Sequence, residues 1–164
     1  MMNELGFYTL AGQPKSPRDL IDEVRTGEAL GLGSAFISER FNVKEAATLS
    51  GAVGAVSTRL GIATAATNHN TRHPMVTAAY AMTMHRLTDG RFSLGLGRGI
   101  APMFKAYGLP KVTTAQLEDF VGILRRLFVF SDEGEDRVVV NPVLTVTGRE
   151  TEVDEEGCLS LGPV

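Results

Sequence analysis

The chain has 164 residues, a formal net charge of −3, 43% hydrophobic and 21% charged residues, and one cysteine. These values describe an ordinary globular chain long enough for one core, and they exclude an internal disulfide framework. No apolar run reaches membrane-spanning length, the N-terminus lacks a basic start followed by an apolar core, and the mild acidity argues against nucleic acid; the expected setting is cytoplasmic, with no membrane.

Charge is unevenly spread. Residues 1–128 hold 14 Lys/Arg against 10 Asp/Glu, whereas residues 129–164 hold two basic residues, Arg137 and Arg149, against nine acidic ones. The change falls at 129–136 (VFSDEGED), where helical periodicity also stops. The chain therefore divides into residues 1–128, an acidic junction at 129–136 and a tail at 137–164.

In chain order, Leu5–Leu10 reads as a short apolar strand. Ser16 caps a first helix, with Pro17 at its first position and Asp19 three residues after the cap. Leu20, Ile21 and Val24 form its apolar face, and Gly31 and Gly33 end it. Ser34–Ser38 is a second strand ending in Glu39-Arg40. Asn42, with Glu45 three residues later, is a capping box ahead of a helix whose face is Ala46, Leu49, Val53 and Val56. Leu60–Ala66 is small and β-branched, the habit of a parallel strand buried on both faces. It runs into 67–73 (TNHNTRH), dense in donors and cations. Pro74 opens a third helix, with Val76, Ala79, Thr83 and Leu87 on one apolar face. Asp89-Gly90 turns the chain, Phe92–Leu96 is a fourth strand, and Gly97-Arg98-Gly99 follows. Thr113 and Gln116 make another capping box before the amphipathic stripe Leu117, Phe120, Val121, Leu124 and Phe128.

Strands thus start near residues 5, 34, 60 and 92, at the roughly 30-residue spacing of a βαβ unit. The fold class is α/β with parallel βα repeats, either half of an eight-fold barrel or most of a doubly wound sheet. Both gather ligands at the C-terminal ends of strands. Glu39 and Arg40 also fit a solvated ion pair. His69 and His73, four apart, have metal-like spacing but lie in a loop without a third ligand nearby, so no metal is expected. They read as a polar rim or, for His73, a helix cap. His85, mid-helix, reads as structural. Gly95, Gly97 and Gly99 do not make the dinucleotide fingerprint, since residue 100 is Ile, and close backbone packing would also explain them. Met75, Met82, Met84 and Met103 read as core filler.

Four blocks carry a resemblance: 31–40 (GLGSAFISER), 59–74 (RLGIATAATNHNTRHP), 85–99 (HRLTDGRFSLGLGRG) and 113–128 (TTAQLEDFVGILRRLF). In order and spacing they resemble the bacterial luciferase-like family of flavin and deazaflavin oxidoreductases, over about residues 3–128. The resemblance implies the first half of a (β/α)8 barrel, in a family whose chains are usually about twice this length. It implies hydride transfer or monooxygenation of a small organic substrate, with coenzyme F-420 or FMN at the mouth and no metal. The family's acidic residue and following His at the end of the second strand correspond to Glu39 and Arg40, the implied catalytic pair, with Arg replacing the commoner His. A non-proline cis peptide is implied within Thr64–Thr67. Ala65, Ala66, Thr67, Asn68 and His69, with Gly97, Arg98 and Gly99, are the implied cofactor-binding residues. Two open sheet edges would favour a homodimer or other self-association. Alternatively, tail strands near Val138–Val140 and Leu144–Val146 would cover one edge.

The tail, 137–164, is similar to an internal piece of peptide deformylase, through 139–144 (VVNPVL) and 156–160 (EGCLS). In that family the cysteine ligates metal with two His of an HExxH helix. Neither that helix nor the earlier GxGLAAPQ motif is present, so Cys158 alone makes no metal site. The chain reads as two joined gene fragments. Two alternatives to an oxidoreductase follow: a remnant or assembly piece without ligand, and a metal hydrolase inherited from the tail, which lacks HExxH.

Overall fold

A computed structural model describes residues 2–127, 129–132, 135–138 and 159–160, with side chains through residue 124. The elements are β1 (Met2–Tyr8), α1 (Asp19–Ala29), β2 (Leu32–Ile37), α2 (Ala46–Val56), β3 (Gly61–Thr64), β4 (Thr67–Asn68), α3 (Pro74–Leu87), β5 (Phe92–Ser93), β6 (Gly95–Gly97), α4 (Ala101–Ala106) and α5 (Thr114–Leu127). Strands β1, β2, β3 and β5 pair in that order, all parallel. Strand β4 pairs in parallel with β6. Helices α1, α2, α3 and α5 pack successively against one another. This is the expected α/β fold of parallel βα repeats. Leu10, Leu20, Val24, Ile37, Val53, Leu60, Ile62, Leu96 and Leu124 fill the core at 1% exposure or less, each contributing about 1.5–3 kcal/mol by burial.

Local chemistry explains most boundaries. Ser16 Oγ accepts from the Arg18 N–H at 3.1 Å and Asp19 accepts from the Ser16 N–H at 3.2 Å, but these bonds close the turn ahead of α1, whose N-cap is Arg18 without a side-chain cap, so Ser16 and Pro17 precede the helix they were expected to open. His73 Nδ1 accepts from the Met75 N–H ahead of Pro74. Thr113 and Gln116 cap α5 reciprocally. Gly31, at φ 78°, lies just past the end of α1, and Asp89 and Gly90, both at positive φ, make the turn after α3.

Several expectations are corrected. The cap of α2 is Glu45, which accepts from the Ala47 and Thr48 N–H groups. A tight turn in which Arg40 and Lys44 exchange backbone hydrogen bonds holds Asn42 outside the helix. The third strand divides at Ala65–Ala66, and the fourth divides at Leu94 into β5 and β6. At that division Thr64 Oγ1 donates to the Gly95 carbonyl and accepts from its N–H, both at 2.8 Å. On α3 the expected face is exposed: Val76 is 56% and Leu87 54% accessible, with Ala79 and Thr83 also outward. The buried face is Thr77, Ala78, Ala81 and Met84. Small residues win because α3 lies close to α2; a Cβ on Gly54 would stand 3.3 Å from Met84 Cε and 3.0 Å from Thr88 Cγ2. Of the methionines, Met84 is core, whereas Met75 is 65% exposed. Helix α4, with Pro102 in its first turn, is an element beyond those expected.

The junction contains an antiparallel hairpin of β7 (Val129–Asp132) and β8 (Glu135–Val138), in which Val138 pairs with Val129. Strand β9 (Leu159–Ser160) lies antiparallel on β6. The tail thus meets the sheet at Leu159–Ser160 instead of at Val138; Val139, Val140, Leu144–Val146 and Cys158 lie outside the described residues.

At the end of the sheet opposite the strand C-termini, one Glu28 oxygen accepts from the N–H groups of Thr58, Arg59 and Leu60, at 2.9, 2.6 and 3.3 Å. Arg59 donates to the Leu32 and Glu28 carbonyls, and Arg91 to those of Leu60 and Ser57. Burial alone would raise the Glu28 carboxyl pKa, but the three N–H groups and the Arg59 charge outweigh it and hold the value below the ordinary 4.5. A depressed carboxyl contributes stability above its unfolded pKa and loses it as pH falls through the folded value. Glu28→Ala should therefore melt below the parent at neutral pH by about 1–3 kcal/mol, with the gap closing under acid; a gap that persists well below pH 4.5 would contradict this. A Cβ at position 95 would overlap the Thr64 carbonyl oxygen. Gly95→Ala is expected to lose about 3 kcal/mol or more in thermal unfolding, and a parental midpoint would refute the clamp.

Candidate active site

Three strand ends meet on one side of the sheet. The Ala65 N–H donates to the Ile37 carbonyl at 2.8 Å, and the Glu39 N–H to the Ala66 carbonyl at 3.1 Å, so β2 stays registered past the Ala65–Ala66 division. The Ala65–Ala66 peptide is cis, within the stretch where the resemblance implies one. Tyr8 donates its hydroxyl to the Ala65 carbonyl at 3.1 Å. Across from it, a Cβ on Gly97 would approach Ala66 Cβ at 3.3 Å. Ala65, Ala66 and Gly97 therefore form a surface almost without side chains.

Glu39 borders that surface. Its Oε1 accepts from the Ala46 N–H at 3.2 Å, and its Oε2 accepts from Thr67 Oγ1 at 2.6 Å and Arg72 Nη2 at 2.9 Å. Arg72 also bonds Glu45 and donates Nη1 to Thr67 Oγ1 at 2.8 Å. The Glu39 side chain is 4% exposed, that of Arg72 14% and that of Glu45 44%. The ion pair at Glu39 is thus with Arg72. Arg40 instead sends Nη2 to the Gly12 carbonyl at 2.6 Å, away from its chain neighbour. Burial would lower the Arg72 pKa, but the two carboxylates raise it. Burial would likewise raise the Glu45 carboxyl, yet the Thr48, Arg72 and Ala47 donors hold it low.

Two residues that sequence reasoning did not single out organise the rim. Arg72 was visible only as one cation in a polar run. Lys44 carried no signal; it is 4% exposed and donates Nζ to the Thr9 and Leu10 carbonyls at 2.6 and 3.3 Å. Its ammonium lies 4.9 Å from the Tyr8 ring centre. Burial and Arg40 lower its pKa against the opposing pull of Glu23. Leu10 itself adopts φ 49°, rare for a branched residue. Glu23, which accepts the Leu10 N–H at 2.7 Å, and Lys44 hold it there.

The run after β4 splits its histidines. His69 is 7% exposed, with its ring 4.9 Å from that of Phe120 on α5 and its Nδ1 buried without a partner. His73 is exposed and caps α3, so the two do not converge. Both amide atoms of Asn70 are also buried and unpaired, while Asn68 accepts from Thr71. Beyond β6, Arg98 is exposed and donates to Thr114 Oγ1 at 3.2 Å. Gly99, at φ 77°, leaves room for the Phe104 ring. Phe41 contacts both Phe104 and Tyr107, giving an aromatic rim. Among the described residues no three His, Cys, Asp or Glu gather as a metal site, and no helix is long and apolar enough to cross a membrane.

The sequence profile of the luciferase-like monooxygenases matches residues 2–160. The chain belongs to that family. The match runs past the acidic junction at 129–136. The chain is 25% identical over 126 residues to the 5,10-methylenetetrahydromethanopterin reductase of Methanopyrus kandleri, covering 74% of this chain and 36% of that protein. It is 31% identical over 107 residues to the phthiodiolone/phenolphthiodiolone dimycocerosates ketoreductase of Mycobacterium tuberculosis, covering 64% and 28%. A short match, 50% identical over 48 residues, links 27% of this chain to 28% of peptide deformylase 1 of Corynebacterium efficiens. In fold it is similar to the coenzyme F420-dependent tetrahydromethanopterin reductase of M. kandleri (TM-score 0.63, 17% identity, 83% of this chain and 44% of that one). It is also similar to the oxygenating constituent of the Pseudomonas putida 3,6-diketocamphane monooxygenase in complex with FMN (TM-score 0.61, 20% identity, 84% and 44%). The family member thus spans about a third of its curated relatives and under half of these structures.

Burial lowers the His69 pKa from its ordinary 6.5. A buried neutral imidazole stabilises the fold above the unfolded pKa, and that contribution falls away as pH drops below it. His69→Phe should therefore flatten the dependence of the melting midpoint on pH between about 7 and 5; an unchanged slope would show that His69 is not the group responsible.

Proposed function

We propose that the chain supplies the ring-binding side of a luciferase-like oxidoreductase site that takes coenzyme F-420 or FMN, for hydride transfer to or monooxygenation of a small organic substrate. The observation that carries this reading is the side-chain-poor surface of Ala65, Ala66 and Gly97 at the strand ends, open to a flat ring and bordered by buried charge. The residues around it fit such a group. The unpaired Nδ1 of His69 and carboxamide of Asn70 are buried polar atoms whose cost falls when a ligand's polar edge bonds them. Arg98, exposed beside Gly97 and Gly99, offers a guanidinium fork to the phosphate that either cofactor carries. When bound, the ring supplies the electron pair or the oxygen chemistry that side chains lack.

The chain's own residues then orient and polarise. Thr67 and Asn68 hold the wall at the end of β4, and Glu39 places a fixed negative charge beside it. Arg40 stands where relatives carry His and brings a permanent cation in place of a proton-transferring imidazole.

Titration of the purified chain with F-420 and with FMN, followed by fluorescence and absorbance, tests the reading. Saturable binding of one of them in the tens-of-micromolar range or tighter is expected, weakened about tenfold or more by Gly97→Val, which fills the ring surface. Absence of binding by both would refute the proposal.

A further inference from the structure

The Glu39 carboxylate is withdrawn from water, and three elements reach it: α2 through the Ala46 N–H, β4 through Thr67 Oγ1, and the β4–α3 loop through Arg72. Arg72 is the cation in contact with it, and that cation is shared, since Glu45 also bonds the same Nη2. Among the described residues Tyr80 of α3 also lies nearby; it donates its hydroxyl to Ser50 Oγ of α2 at 2.8 Å, and burial keeps the phenol protonated. Arg40 is directed to Gly12 instead. Without Arg72, then, the described partners left to the charge of Glu39 are neutral donors, with the Glu45 carboxylate close by.

We propose that Arg72 is the positioning residue of this mouth: its guanidinium fixes the Glu39 carboxylate against Thr67, beside Ala66, and a cation without the planar fork does not replace it. The inference rests on the ring-site reading above. Nη1 holds Thr67 Oγ1 while Nη2 holds Glu39 and Glu45, so three oxygens are oriented by two nitrogens of one rigid plane. A lysine ammonium presents one nitrogen and cannot span them.

The test compares the full 164-residue chain with Arg72→Met, Arg72→Lys, Glu39→Gln and the double variant Glu39→Gln/Arg72→Met. Melting midpoints without ligand and titrations with FMN and F-420 are both recorded from about pH 5 to 8. In Arg72→Met the buried Glu39 carboxylate loses its counter-charge and is left stranded away from water. Relative to the parent, Arg72→Met should then lose more stability the higher the pH, a slope opposite in sign to the one His69 gives both proteins. The double variant should abolish that slope and melt above Arg72→Met. Ring affinity should drop about tenfold or more in Arg72→Met, worsening with pH. Arg72→Lys should recover the melting profile more fully than the affinity. The double variant, with no charge left to position, should bind no worse than Arg72→Met. A pH slope in Arg72→Met like the parent's, or a double variant that loses the sum of the two single losses, overturns the proposal. If Arg72→Met does not fold, a folded double variant carries the same support and an unfolded one refutes the proposal. Should the parent bind neither ring, the ring-site reading fails on its own, and the melting arm still decides whether Arg72 sets Glu39.

Discussion

One buried carboxylate ties the mouth of this fold together. Glu39 ends β2, and its two oxygens take donors from the start of α2, from β4 and from the loop before α3. Each of those bonds crosses from the end of β2 to a different element. Charge-assisted bonds of this kind are stronger than neutral ones, and removing a partner leaves a charge stranded away from water. The ends of β2, β4 and α2 are thereby set relative to one another, which is what a site assembled from strand ends requires.

The two ends of the sheet are held by the same chemistry to different effect. At the closed end, Glu28, Arg59 and Arg91 satisfy backbone N–H and carbonyl groups, leaving little to offer a ligand. At the mouth Glu39, Glu45 and Arg72 are also internally paired, yet His69, Asn70 and the Arg40 Nε keep buried polar atoms free. Beside them the backbone lies nearly bare at Ala65, Ala66 and Gly97. That contrast, between a saturated end and one with unmet bonds, supports the proposal of a ring site at the mouth.

Local signals in the sequence were read correctly where one or two residues decide the outcome. His73 with Pro74, and Thr113 with Gln116, set helix starts through bonds spanning three residues or fewer, so composition and spacing suffice, whereas Ser16 and Asp19 close only the turn ahead of α1. The parallel βα order was equally legible from strand spacing. The buried face of α3 was not. Its helix carries two plausible stripes, and the choice fell to Ala78, Ala81 and Met84 because Gly54 on α2 permits close approach, a fact that lies in another element. The partner of Glu39 was hidden for the same reason. Arg40 is adjacent in the chain, whereas Arg72 comes 33 residues later and is brought near only when the chain after β3 registers against the end of β2. Lys44 gave no warning, since a lysine satisfied by two carbonyls looks in sequence like any surface cation.

The reading of the site depends on a ligand ring lying against Ala65, Ala66 and Gly97. Mapping backbone amide resonances of the isotope-labelled chain during addition of FMN or F-420 addresses this most directly. The account predicts that the largest shifts cluster at Ala65–Asn70 and Gly97–Gly99, with smaller ones at Glu39 and none at the Glu28–Arg59 end. Shifts centred on the closed end, or spread evenly over the chain, would contradict it.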